Sequence, residues 1–223
     1  MEMDSFEEVA AHVPANALVF CDLDNTLIEP IGQFGSVQWE EHYRKCLVAS
    51  GQPIADAEQA AHERWLEVFP FVKMRLVDNM APMVIRNLQG RGCIVIGLTA
   101  RPPETAKTTY KQLSQLGISF NGPESRHTFC LEEVLYENSI LFCGIHHKKS
   151  EALLAFLKQM DFFQKNVLFI DDKLSHIKDV EGALQSYSLA YIGIRFSKVD
   201  SRVGTYDPKI ADEEELLLMQ TLQ

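Results

Sequence analysis

Short, continuously apolar runs alternate along the chain with stretches whose apolar residues recur at helical spacing. Ala17-Leu18-Val19-Phe20-Cys21 has no polar alternation, as expected of a strand buried on both faces. Cys93-Ile94-Val95-Ile96-Gly97-Leu98 repeats that pattern behind Gly90-Arg91-Gly92. Asn166-Val167-Leu168-Phe169-Ile170 predicts a third strand and Ser188 to Ile194 a fourth. Ser139 to Cys143 predicts a shorter one, cut off by Gly144.

Helices fill the gaps. Met80, Val84 and Leu88 share one helical face, and Leu153, Phe156, Leu157 and Met160 form another stripe. Pro102-Pro103 suits a helix start, where the missing N–H costs nothing, and that helix runs toward Leu116-Gly117. The acidic run from Asp212 to Glu215 ahead of Leu216-Leu217-Leu218-Met219 predicts a terminal helix with carboxylates in its first turn. Strands alternating with helices indicate an α/β architecture around a mostly parallel sheet. The stretch from Pro30 to Asn79 breaks the rhythm: it shows no strand pattern, while Ala61, Trp65, Val68 and Phe69 give it a helical face. We read 30–79 as a small helical cap inserted after the first strand, on a core made of 1–29 and 80–223.

Composition narrows the function. The 223 residues are 46% hydrophobic and carry a net charge of −10, from 21 Lys and Arg against 31 Asp and Glu. That is core enough for one domain with an insertion, and a surface that disfavours nucleic acid and anionic membranes as partners. Five cysteines without a C-x-x-C pair fit a reducing compartment rather than a disulfide framework or a structural zinc site. The acidic N-terminus has no apolar h-region, so a cytoplasmic location is expected; a leader removed ahead of residue 1 would instead mean a periplasmic or secreted protein.

The chemistry gathers where strands end. Asp22-Leu23-Asp24-Asn25-Thr26-Leu27 follows the first strand, and parallel sheets place ligands outside the carboxyl ends of their strands. Carboxylates two apart in extended backbone share a side and repel, which calls for a hard cation such as Mg²⁺. One of them can attack an electrophile while the other moves protons. Asp171-Asp172 repeats the context on a strand far away in sequence. Both clusters also suit helix N-caps, but two acidic strand ends together are harder to assign to capping alone. Thr99 closes the second strand just ahead of a helix start, where a hydroxyl and backbone N–H groups suit an oxyanion. Lys149 opens a helix, a position that the helix dipole makes unfavourable for a cation, which hints at charge balance in a site; Lys148 is its rival. Arg101 fits either a substrate anion or a surface ion pair. Trp65, Phe69 and Phe71 fit the core of the cap better than a substrate entrance, His146-His147 lacks partners at zinc-ligand spacing, and Cys21 reads as a small core residue.

In this order on an α/β chain, Asp22-Leu23-Asp24-Asn25-Thr26, Thr99, Lys149 and Asp171-Asp172 resemble the four motifs of the haloacid-dehalogenase-like superfamily. Gly35-Ser36-Val37-Gln38-Trp39 and the short insertion resemble a bacterial branch of it that carries a small helical cap. The resemblance implies a Rossmann-like three-layer core with the cap between the first and second motifs. It implies Mg²⁺ held by Asp22, the Asp24 backbone carbonyl and a fourth-motif carboxylate, Asp172 aligning better than Asp171. His176 stands where a further Asp or Asn is usual.

The function this implies is a Mg²⁺-dependent phosphatase acting on a small phosphorylated substrate, a phosphoprotein being conceivable, with Asp22 as nucleophile and Asp24 as acid and base. Thr99, Lys149 and Arg101 would hold the phosphate. Asp24 favours phosphoryl chemistry, because dehalogenation needs no leaving-group proton. A phosphotransferase or mutase uses the same residues with a hydroxyl acceptor; a regulatory protein that binds without turnover is the reading from outside enzymology.

Overall fold

The computed structural model describes residues 1–130, 133–160, 162 and 164–221. Strands are β1 (Glu2–Met3), β2 (Leu18–Cys21), β3 (Ile28–Pro30), β4 (Met74–Leu76), β5 (Ile94–Thr99), β6 (His127–Phe129), β7 (Val134–Glu137), β8 (Ile140–Phe142), β9 (Asn166–Asp171) and β10 (Ala190–Phe196). Helices are α1 (Phe6–His12), α2 (Val37–Ala49), α3 (Ile54–Val68), α4 (Ala81–Gly90), α5 (Ala106–Gln115), α6 (Lys149–Gln159), α7 (Leu174–Leu184), α8 (Asp200–Val203) and α9 (Pro208–Thr221).

Among the described residues the main sheet has eight strands in the order β1-β10-β9-β2-β5-β8-β7-β6, all parallel except β7, which runs antiparallel to both its neighbours. The fold is α/β, as the pattern of apolar runs predicts, and Rossmann-like, as the motif resemblance implies. Leu18 and Phe20 of β2 join a core cluster with Phe156 of α6 and Val180 of α7. Val19 and Cys21 point the other way and are equally buried, so helices must cover both faces.

The chain divides into two compact units: Met1–Ile28 with Leu76–Val199, and Glu29–Arg75 with Asp200–Gln223. The first carries the main sheet. The second holds the expected insertion only as far as Arg75, since 76–79 group with the main sheet, and the C-terminal segment 200–223, expected in the core, groups with it instead. Ala211 of α9 packs in its core with Phe34, Trp39, Trp65, Val68 and Phe69. The Glu214 carboxylate accepts the backbone N–H groups of Gln33 and Phe34 at 2.7 and 2.8 Å, and Arg64 pairs with Glu215. The Trp65 indole donates to the Gly35 carbonyl at 3.1 Å, and the Trp65 and Phe69 rings stack 4.4 Å apart, whereas Phe71 is exposed. Gly35 has a φ of +71°, and a Cβ there would stand 2.3 Å from Val72 Cγ2, so only glycine fits. The segment also has strand that its sequence pattern did not predict. The three-residue β3 and β4 pair with each other, too briefly for any alternation to register.

Candidate active site

The sheet order places the site. From β2 the chain moves outward through β5 to β8, then crosses back to β9 on the other side of β2. The crevice between β2 and β9 is therefore the topological switch point, where open α/β sheets bind ligands. Cys21 pairs with Ile170, and the Asp22 N–H donates to the Ile170 carbonyl at 2.9 Å, so Asp22 and Asp171 emerge side by side.

After β2 the backbone closes a tight turn on the Leu23 carbonyl, which accepts the N–H groups of Thr26, Leu27 and Ile28. Asn25 takes a left-handed φ of 63°, a conformation Asn tolerates better than most residues. The turn brings Thr26, fully buried, back to Asp22, and its hydroxyl donates to Asp22 Oδ2 at 3.2 Å.

Lys149, at the first position of α6, is only 5% exposed. Its ammonium donates to Asp22 Oδ1 and, at 2.6 Å, to Asp171 Oδ2. Lys148 is exposed, its ammonium 3.9 Å from Asp179. Of the two lysines it is thus Lys149 that reaches the carboxylates, and the local cost of a cation at a helix start is offset by two buried counter-charges. Asp171 is fully buried and also accepts the Lys173 N–H at 2.8 Å, with the His176 imidazole 3.1 Å from both its oxygens.

Thr99 ends β5, buried, with its hydroxyl oxygen accepting the Arg101 N–H at 3.1 Å. Its own hydroxyl hydrogen is then the group it can offer an oxyanion. The Arg101 guanidinium, 3% exposed, is turned onto Asp24. Nε and Nη2 bond the two carboxylate oxygens at 2.8 and 2.7 Å, while Nη1 donates to Thr109 Oγ1 at 3.0 Å and Gln112 Oε1 at 2.9 Å. Sequence reasoning placed Thr26 in its motif without a role of its own, and missed Thr109 and Gln112. The last two lie three residues apart on α5, one face of the helix, and no motif distinguishes them from ordinary polar positions.

Asp22, Asp171 and Asp172 bring one carboxylate oxygen each to within 4.8 Å of one another, the one such cluster of potential metal ligands among the described residues. Burial pushes the Asp22 carboxyl up to about 6 despite Lys149. Burial, then the charges of Asp22 and Asp171, push Asp172 up to about 8. Asp171 would be raised by burial too, but Lys149 and His176 hold it below the usual carboxylate range. Burial would lower the Lys149 ammonium, yet Asp171 and Asp22 raise it above the ordinary lysine value. Three carboxylates against one ammonium leave negative charge uncompensated, and an all-oxygen donor set fits a hard divalent cation. Both Asp171 and Asp172 stand in the cluster, Asp171 being the one already tied to Lys149 and His176.

A cavity of about 440 Å³ opens beside Lys149, lined among others by Ala100, His146, His147, Ser175 and His176. His147 lies 2.8 Å from Glu133 and 3.5 Å from Glu151, so its neighbours are carboxylates. All five cysteines are free thiols, and burial pushes Cys21 far above its ordinary value, which makes it inert core.

A family model described as "Protein of unknown function (DUF2608)" matches residues 2–219. A Chlamydia pneumoniae protein named as a candidate outer membrane protein is 25% identical over 214 residues, covering 94% of this chain and 81% of its own. A protein of the same description from Chlamydia muridarum (strain MoPn / Nigg) is 22% identical over 221 residues, covering 98% and 84%. Among solved structures, the class C acid phosphatase of Bacillus anthracis with tungstate bound is similar at 14% identity and a TM-score of 0.42, over 86% of this chain and 71% of that one. Another structure of the class C acid phosphatase from Bacillus anthracis matches at 13% identity and a TM-score of 0.42, over 93% and 80%. Both Chlamydia relatives carry an outer-membrane name, which points to the cell envelope and overturns the cytoplasmic expectation. That expectation rested on a missing h-region and on unpaired thiols, and neither property fixes a compartment. No helix among the described residues is long and apolar enough to cross a membrane.

Proposed function

We propose that this chain, which belongs to the protein family of unknown function DUF2608, is a divalent-cation-dependent phosphomonoester hydrolase of the haloacid-dehalogenase type. One observation carries the reading: the buried Lys149 ammonium sits between Asp22 and Asp171 at the switch point of the sheet, with Asp172 completing an oxygen-only cluster.

Asp22 is the nucleophile. Its carboxylate oxygen forms a bond to phosphorus while the bond from phosphorus to the leaving oxygen breaks, giving an aspartyl-phosphate. Thr26, donating to the other carboxylate oxygen, fixes which oxygen attacks. The Thr99 hydroxyl and the Lys149 ammonium hold the phosphoryl oxygens, and stabilisation of their charge supplies most of the acceleration. Asp24 serves the proton transfers, taking a proton from the water that splits the acyl phosphate and regenerates Asp22. Asp22, Asp172 and the Asp24 carbonyl would hold Mg²⁺, with Asp171 beside them. When bound, that ion neutralises the carboxylates and polarises the phosphoryl group. The outer-membrane names of the two relatives support an envelope setting for the reaction.

The test is turnover of p-nitrophenyl phosphate with Mg²⁺. The native chain releases phosphate, EDTA stops it, and Asp22→Asn removes essentially all of it. Activity that survives both EDTA and Asp22→Asn defeats the mechanism, and phosphate appearing on an added alcohol instead of water makes the protein a phosphotransferase.

A further inference from the structure

We infer that the cavity beside Lys149 is a subsite for a second anion: the substrate is a small phosphomonoester that carries a carboxylate or a further phosphate at the end remote from the scissile bond. The inference rests on the phosphohydrolase reading above and deepens it by naming the substrate class.

The cavity adjoins the place where the phosphoryl group would be held, since Lys149 lines it and so does Ala100, the residue after Thr99. What enters it is therefore the rest of the substrate, and about 440 Å³ suits a small molecule. Strands β8 and β9 run parallel through β5 and β2, so α6 and α7, which follow them, begin at the same edge of the sheet. The two helices share one core cluster through Phe156 and Val180. Their first turns meet at the cavity, with Lys149 and Ser150 from α6 and Ser175 from α7. The backbone N–H groups of these three residues make no hydrogen bond to another described residue. Two positive helix ends with donors to spare favour an anion between them.

Ser150 points to the same ligand on other grounds. It lines the cavity although only 6% exposed, and its hydroxyl has no hydrogen-bond partner among the described residues. The hydroxyl oxygen is not sealed in the core, so it opens on the cavity. A hydroxyl so nearly buried is costly to leave unpaired, and an anionic oxygen would accept its hydrogen.

Lys148 and Asp179 set the charge of the rim. Both are exposed and line the cavity, with the ammonium 3.9 Å from the carboxylate. An exposed pair of that length holds little energy, so the ammonium can turn onto an incoming anion. Asp179 opposes the same anion and limits its affinity. The two side chains therefore act with opposite sign.

The experiment compares kcat/KM with Mg²⁺ for three esters on one stem: propyl phosphate, the same ester with a terminal carboxylate, and the same ester with a terminal phosphate. In the native chain at least one of the charged-end esters exceeds propyl phosphate by about tenfold or more, as expected for hydrogen bonds to an ionised group. The chain's net charge of −10 would by itself favour the less charged ester, so the order is diagnostic. Ser150→Ala and Lys148→Gln each shrink the preference by about threefold to tenfold, and Asp179→Asn enlarges it. Substitutions that slow all three esters alike leave the preference where it was and overturn the inference. If Ser150→Ala does not fold, Lys148→Gln and Asp179→Asn, both on exposed side chains, decide. Propyl phosphate turned over as well as the charged-end esters sinks this inference alone. Turnover of no ester at all, p-nitrophenyl phosphate included, sinks the phosphohydrolase reading with it.

Discussion

Lys149 Nζ stands 2.6 Å from Asp171 Oδ2, and because the same ammonium donates to Asp22, one cation joins the ends of two adjacent strands. Lys149→Met leaves two buried carboxylates without it. We expect a loss of about 3–5 kcal/mol in stability, the usual cost of stranding a buried charge. Turnover falls about 10²–10³-fold, as for loss of one transition-state donor. Urea melts and kcat measure the two effects separately, and Mg²⁺ should restore part of the stability but not the rate.

The charge imbalance makes stability depend on pH and metal together. Burial, with the charges of Asp22 and Asp171, holds Asp172 at about 8, and burial holds Asp22 at about 6. Both are easier to protonate in the fold than in the unfolded chain. The metal-free protein is therefore favoured at low pH and loses stability as pH rises through those two values. Asp171, held low, stays ionised across that window and adds no slope. Thermal melts in EDTA at about pH 5 and about pH 8 should show a lower Tm at the higher pH, and Mg²⁺ should remove most of the drop. Equal melting at both ends in EDTA contradicts the account.

Thr26 offers a gentler perturbation. Thr26→Val keeps the shape and removes the hydroxyl that donates to Asp22 Oδ2. The expected cost is about 1 kcal/mol of stability and about tenfold in kcat, with KM little changed, since the bond orients the nucleophile rather than binding substrate. A change confined to KM would assign Thr26 to binding instead.

Glu214 is the corresponding test in the second unit. Its carboxylate accepts two backbone N–H groups, from Gln33 and Phe34. Glu214→Ala removes charge-assisted bonds and leaves both donors unpaired, a loss of about 1.5–3 kcal/mol. Limited proteolysis should then cut within 30–75 faster than in the native chain, while the main sheet keeps its protection.

The strands that build the site were legible because both their faces are buried: β2, β5 and β9 read as unbroken apolar runs with no competing pattern. Asp22, Thr99 and Asp171 were legible because each closes such a run. Lys149 betrayed itself by opposing its own helix dipole. Thr109 and Gln112 gave no signal, because their role passes through Arg101 and exists only once α5 is placed. The β6–β7 hairpin was hidden by its brevity, with His127-Thr128-Phe129 too short to show alternation. The grouping of 200–223 with the insertion was hidden for another reason. Glu214 meets Gln33 across 181 positions, and no local pattern carries a contact of that range.

That long-range closure imposes an order on synthesis. Chains fold as they emerge, in units that become complete. Residues 29–75 leave the ribosome early, but their buried aromatic cluster needs Ala211, and their first turn needs Glu214. The second unit must stay open while about 140 further residues are translated and the main sheet assembles, with Trp39, Trp65 and Phe69 uncovered meanwhile. A nascent chain of this kind is exposed to chaperones and proteases for longer than its small size suggests, and a ribosome stalled ahead of α9 would hold a finished sheet beside an unfinished neighbour.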